Sequence, residues 1–245
     1  SRWLSLKCDF RTNCIINMRF RILQYNTDDF SHGSDYFSKV ITDVDYALLQ
    51  RLPIKNELSL ISDIHLERSI PGMTDSLYVG IAKLSKTSTF KSGMSYDLPS
   101  ANIVKATNNK FQGSKAICTG VDRIILCSVL PCYPNKQDGG TITGKDTIKD
   151  VRYLLNKLRD TRCIITGDFH HAPGDFKELD ELIKDNGFTS YLDDYDTFVN
   201  PRSGHPCNLD RMISNISDLT IENVIVHQPS KPSRHLAITY EVNYS

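Results

Sequence analysis

The sequence predicts an α/β fold in which two β-sheets pack face to face and helices cover the outside. Three observations predict it. Short apolar runs that stop abruptly at polar residues recur along the chain, as buried strands do. Stretches with helical apolar spacing alternate with these runs in both halves, and a strand-rich segment separates the halves. This order suits a two-sheet sandwich better than one doubly wound sheet.

The elements follow in order. RFRILQYN, residues 19–26, is rich in strand formers and ends in the polar stretch Asn26-Thr27-Asp28-Asp29. Residues 34–44 carry Phe37, Val40, Ile41 and Val44 at helical spacing, and YALLQ, residues 46–50, reads as a buried strand. A helix is predicted from Glu57 towards Ile64. Strands are predicted at 77–84, 103–106, 114–119 and 123–130, with turns at Asn108-Asn109 and Gly120. A helix over 145–158 presents Ile148, Val151, Leu154, Leu155 and Leu158 as one stripe. A strand at 163–166 and a helix at 176–184 follow, with Gly187 as the helix C-cap. Strands at 209–213, 219–226 and 235–242 complete the chain.

Residues 18–245 are expected to form one domain, with 1–17 as an N-terminal extension; a chain of 245 residues suits one two-sheet domain. Apolar residues make up 40% and charged residues 24%, and no apolar run is long enough for a membrane span. Lys plus Arg equals Asp plus Glu at 29 each, so no bulk positive field draws in nucleic acid. A nucleic-acid partner then needs a local patch, for which Lys83, Lys86, Lys91, Arg202, Arg211, Lys231 and Arg234 are candidates. Most of these individually read as solvated charges. The seven cysteines are odd in number and contain no CxxC pair, which argues against a disulfide framework or a zinc site and for a reducing, intracellular compartment. Cys118, Cys127 and Cys163 read as small core residues. No secretory signal is evident in the first residues.

The sharpest chemical feature is CIITGDFHHAPGDF, residues 163–176. Its apolar strand ends in Gly167-Asp168, and a carboxylate at the carboxyl end of a buried strand is aimed into the cleft where α/β proteins bind ligands. The competing structural reading of Asp168 is a turn or helix cap. NLDRMI places Asp210 at the start of another strand, and PSRHLAI places His235 at the entrance of the last. A carboxylate beside an imidazole fixes its tautomer and pose.

In this order, Asn26 closing RILQYN, DYALLQ, VGIAKLSK, the Gly167-Asp168-Phe169 turn, DTF, LDRMI and the terminal RHLAI resemble the exonuclease-endonuclease-phosphatase, or DNase I-like, superfamily. The resemblance spans residues 19–242, although each motif is short. It implies a four-layered α-β-β-α sandwich with two mostly antiparallel sheets. It also implies hydrolysis of phosphodiesters, with nucleic acid, DNA or RNA, as the expected partner. By resemblance Asn26 and Asp168 hold a divalent cation, Mg²⁺ or Mn²⁺, and Asp168 orients or deprotonates the attacking water. Asp210 pairs with His235, which contacts the phosphate.

Several positions depart from that pattern. Arg51 occupies the place of the metal-binding glutamate, His170 that of an asparagine, Arg234 that of the aspartate before the last histidine, and Val129 that of a histidine. His170 joins the catalytic candidates, and Arg51, Arg234 and Arg211 become phosphate-binding candidates, since guanidinium groups grip phosphate bidentately. The alternative is a catalytically silent member of the same fold that binds nucleic acid or protein. LSLISDIHLE also resembles the opening motif of calcineurin-like phosphoesterases, through Asp63 and His65, but the remaining turns of that pattern are missing. No Gly-x-Ser-x-Gly elbow, phosphate loop or dinucleotide-binding glycine triad is present.

Overall fold

The computed structural model describes residues 5–7, 15–27, 34–53, 63–68, 77–84, 93–101, 114–131, 144–200, 203–228 and 234–245. The first half of the chain runs β1 (Ser5–Lys7), β2 (Ile15–Asn26), α1 (Ser34–Val40), β3 (Tyr46–Pro53), β4 (Asp63–Arg68), β5 (Leu77–Lys83), β6 (Met94–Asp97), β7 (Lys115–Val121) and β8 (Ile124–Leu130). The second half runs α2 (Gly144–Leu158), β9 (Cys163–Asp168), α3 (Lys177–Asp185), β10 (Thr189–Tyr191), β11 (Phe198–Val199), β12 (Pro206–Cys207), β13 (Asp210–Ser214), β14 (Thr220–Val226) and β15 (Ile238–Tyr244).

A seven-stranded sheet has the order β14-β15-β2-β3-β5-β4, with β1 on the outer length of β2. A six-stranded sheet has the order β10-β13-β9-β8-β7-β6, and β11 and β12 form a small ribbon. Among the described residues only β2–β3 and β8–β9 are parallel, so both sheets are mostly antiparallel.

The central strands are largely apolar on both sides because both of their faces are buried. Ile22, Leu48 and Ile81 of one sheet meet Leu126, Ile164 and Met212 of the other in a shared core. Their neighbours in sequence point outward. Leu23, Leu49 and Ala82 lie beneath Phe37 and Val40 of α1, while Cys127, Ile165 and Ile213 lie beneath Leu154, Leu155 and Leu179 of α2 and α3. The result is the expected helix, sheet, sheet, helix sandwich. Gly187 takes a left-handed φ of 78° directly after the α3 C-cap Asn186, as a helix-ending glycine does.

The helix expected towards Ile64 is corrected: Asp63 and Ile64 begin strand β4, and residues 57–62 lie outside the described residues. The strand expected at 103–106 also lies outside them. Asp63 pairs with Lys83, which pairs with Tyr46 and through it Ile22, so the calcineurin-like motif starts at the opposite end of the sheet from Asn26. Among the described residues no helix is long and apolar enough to cross a membrane.

Candidate active site

Four strand ends bring distant residues to one place. Asn26 is the last residue of β2 and Asp168 the last of β9, while Asp210 is the first of β13. Asp210 and Asp168 are direct partners in the antiparallel ladder. His235 precedes β15 and is held by an isolated bridge to Phe198, so the last strand starts three residues later than its expected start.

The close approach of β8 and β9 requires the glycine before Asp168. A Cβ on Gly167 would lie 1.8 Å from the Val129 carbonyl oxygen. Val129, where the sequence resemblance implies a histidine, thus contributes its backbone to the site's frame while its side chain is buried in the core beneath α2.

The four side chains converge. The Asn26 amide Nδ2 donates to Asp168 Oδ2 at 2.9 Å and lies 3.4 Å from His235 Nε2. His235 Nδ1 is 2.8 Å from Asp210 Oδ2, and His235 Nε2 is 3.7 Å from Asp168 Oδ2. A carboxylate only accepts, so Asp210 keeps the proton on Nδ1 and turns Nε2 towards Asp168 and Asn26. All four residues are nearly enclosed, with exposures of 0% for Asn26, 3% for Asp168, 1% for Asp210 and 4% for His235.

His170 joins them from the other side of Asp168. Its backbone N–H donates to Asp168 Oδ1 at 2.9 Å, its ring Nδ1 lies 3.0 Å from the same oxygen, and its Nε2 lies 3.1 Å from the Pro131 carbonyl. It has a left-handed φ of 61°, a conformation that disfavours a residue with a Cβ and is held here by these contacts.

The two carboxylates are driven to opposite behaviour. Burial raises both. At Asp168 the charges and hydrogen bonds of His170, with the charge of His235, outweigh burial and hold the carboxyl well below its ordinary range. At Asp210 burial prevails over the His235 contact and the carboxyl is raised. Paired acids separated in this way mark sites of proton chemistry.

The phosphate-binding candidates part company. Arg51 follows Gln50, the ladder partner of Asn26, at an irregularity in β3, with a left-handed φ of 54°. Its carbonyl accepts from the Thr27 hydroxyl at 2.8 Å, so its backbone is tied to the end of β2. Arg234 is exposed and adjoins His235, and its carbonyl accepts from Val199 N at 2.7 Å. Arg211 is a correction. Successive strand residues face opposite sides, so Arg211 points away from Asp210, is buried, and donates to Asp180 Oδ1 at 2.7 Å and Ser190 Oγ at 3.2 Å.

Two further residues build the site. Buried Thr197 accepts from Asp210 N through its hydroxyl at 3.2 Å, and its carbonyl accepts from Leu236 N at 2.7 Å, stitching β13 to the segment that carries His235. The Phe198 ring lies 4.8 Å from the His235 ring, centroid to centroid. The DTF motif contains both, but sequence gives their type and not their role.

The donor chemistry fits a divalent cation. Asp168, Asp210 and His235 each offer a ligand atom within 4.8 Å of the others, and the 3.7 Å between Asp168 Oδ2 and His235 Nε2 is a spacing that two ligands of one ion adopt. Asn26 presents its amide nitrogen to the group, and that atom is a donor, not a ligand.

No protein-family model and no curated protein matches the chain. Solved structures do. D. rerio TDP2 complexed with single-strand DNA product aligns with a TM-score of 0.69 at 13% identity, over 92% of this chain and 99% of that one. The 3′ phosphatase NExo from Neisseria, bound to a product DNA hairpin, aligns with a TM-score of 0.65 at 15% identity, over 90% and 98%. The endonuclease domain of TRAS1, a telomere-specific non-LTR retrotransposon, aligns with a TM-score of 0.61 at 17% identity, over 91% and 98%. The second is named as a phosphatase and the third as an endonuclease domain, and the chain has the fold of the exonuclease-endonuclease-phosphatase, DNase I-like superfamily.

Proposed function

We propose that the chain is a phosphodiester hydrolase acting on nucleic acid with the help of a divalent cation. The observation that carries this reading is the Asp210–His235 pair facing Asp168 and Asn26 in one group at the strand ends. Phosphoryl transfer needs little covalent chemistry from a protein; it needs a positioned nucleophile and donors where charge develops.

Each residue has a role in that scheme. Asp168, held ionised by its imidazole neighbours, accepts a proton from the attacking water and orients it. His235, posed by Asp210 with its proton on Nδ1, turns the Nε2 lone pair towards the place where the cation would sit, and the Asn26 amide nitrogen is the donor available to a phosphoryl oxygen. His170 fixes the Asp168 carboxylate from behind. Arg51 and Arg234, which adjoin Gln50 and His235, add positive charge for a backbone phosphate. Asp168, Asp210 and His235 would hold Mg²⁺ or Mn²⁺, which supplies charge neutralisation and a more acidic bound water.

Labelled single- and double-stranded DNA and RNA incubated with the chain and Mg²⁺ or Mn²⁺ test this reading. Cleavage is expected, stimulated by the cation and reduced at least about 10²-fold by His235→Ala or Asp168→Asn. Salt-sensitive binding with no cleavage at any cation concentration overturns hydrolysis in favour of a binding role.

A further inference from the structure

Away from the site, three buried cysteines lie on adjacent strands of the six-stranded sheet, under α2 and α3. Cys118 on β7 and Cys127 on β8 are direct partners in the antiparallel ladder. Opposed residues in such a ladder have Cα atoms about 4.5–5.5 Å apart, inside the window of about 4.4–6.8 Å that a disulfide spans. Their Sγ atoms approach to 2.9 Å, closer than two non-bonded sulfurs rest. Cys163 is the competitor on the same face. It is level with Ile125, two residues from Cys127, and its Sγ contacts the Leu158 carbonyl at 3.9 Å.

We propose that Cys118 and Cys127 become joined by a cross-strand disulfide when the chain folds in an oxidising environment. Two thiols together lose two protons and two electrons. A disulfide oxidant such as oxidised glutathione accepts them: one cysteine sulfur attacks it and expels one small thiol, and the partner cysteine then expels the second from the mixed disulfide. The order of events is set by burial. Burial pushes the Cys127 thiol well above its usual range, and α2 covers the pair in the finished fold. The bond therefore forms while the β7–β8 hairpin is still open, and once covered it resists reductants.

The odd cysteine count concealed this pair, because only the hairpin register brings residues nine apart face to face. A bridge there also braces β8, whose following residue Pro131 supplies the carbonyl that faces His170.

The full chain, refolded from denaturant in a glutathione redox buffer, tests the proposal. It is denatured, alkylated without reduction, and mapped by peptide mass spectrometry. The expected result is a linked peptide pair joining Cys118 to Cys127, about 2 Da lighter than the two free-thiol peptides, with Cys163 alkylated. The oxidised protein is expected to melt on the order of 5–10 °C above the reduced one. Cys163→Ser keeps the link and Cys127→Ser removes it. Alkylation of both Cys118 and Cys127 in the oxidised wild type, or a link to Cys163 instead, overturns the proposal, and mapping of the wild type decides even where a variant fails to fold.

Discussion

Gly167→Ala tests the frame of the site with one methyl group. An added Cβ would meet the Val129 carbonyl oxygen at 1.8 Å, its carbonyl carbon at 2.8 Å and its Cγ1 at 2.9 Å, and real Cβ atoms essentially never come within 3.0 Å. Two of these obstacles are backbone, so no rotamer change relieves them. Strands β8 and β9 must separate, and both are locked in a parallel ladder that continues through Val129 and Gly167. Overpacking of this kind costs about 3 kcal/mol, the upper part of the usual range. For a chain of this size that is a fall of about 6–12 °C in melting temperature, read by scanning fluorimetry or calorimetry. Val129→Ala should leave most of the loss in the double variant, since it removes Cγ1 but not the carbonyl. Asp168 follows directly in sequence, and a displacement of about 1 Å lowers turnover by about 10²-fold. A melting temperature within about 2 °C of wild type would refute the close approach of the two strands, and with it the placement of Asp168.

Other expectations follow from the same contacts. Asp210→Asn keeps the shape but replaces the acceptor on His235 Nδ1; loss of this charged bond, worth about 1.5–3 kcal/mol, should lower kcat about 10- to 150-fold with KM little changed in single-turnover cleavage. Arg211→Met should lower the melting temperature by about 2–8 °C, corresponding to about 1–2 kcal/mol for its partly exposed partner Asp180, and should leave the salt dependence of substrate binding unaltered. Tyr36 donates to the His227 carbonyl at 2.8 Å, and burial pushes its hydroxyl up to about 12. A raised folded-state value means a contribution intact below the unfolded value near 10 and lost as pH climbs towards 12, so urea melts of wild type between pH 9 and 12 should fall more steeply than those of Tyr36→Phe, by up to about 3 kcal/mol. Equal slopes would show that Tyr36 does not titrate with unfolding.

The two-sheet fold was legible because its central strands are buried on both faces. That burial makes RILQY, YALLQ and CIIT mostly apolar on both faces, a signal that needs no alternation, with Gln24, Gln50 and Thr166 as buried polar exceptions. β6 escaped notice for the opposite reason: it is a short edge strand with Met94 51% exposed, and its residues carry no period. The helix expected towards Ile64 ran into β4, where the ladder to β5 decides for strand at Asp63 and Ile64. Within the site, Asn26, Asp168 and Asp210 could be found because each marks a sharp boundary between an apolar run and a polar loop. Thr197 could not, since it works by stitching backbone segments that are far apart in sequence. Arg211 was misplaced because adjacency to Asp210 says nothing about which face of the strand a side chain takes.

The same separation between frame and chemistry explains how the fold persists at 12–17% identity to its structural neighbours. The frame is a set of registers: Asn26 opposite Gln50, Asp168 opposite Asp210, and Val129 level with Gly167. Those registers are fixed by the core between the sheets and by the helices outside, because a slip of one residue would turn every apolar side chain to the wrong face. The polar residues at the strand ends contribute little to that constraint, so positions such as 51 and 170 can change with less effect on the strands than a core position such as Val129. Substitution at one end of a sandwich therefore alters what the group can do chemically far more readily than where the group sits. Arg51→Glu should accordingly leave melting temperature and the Asp168–Asn26 contact unchanged while altering cation dependence, and a collapse of the fold on that change would show that Arg51 is part of the frame.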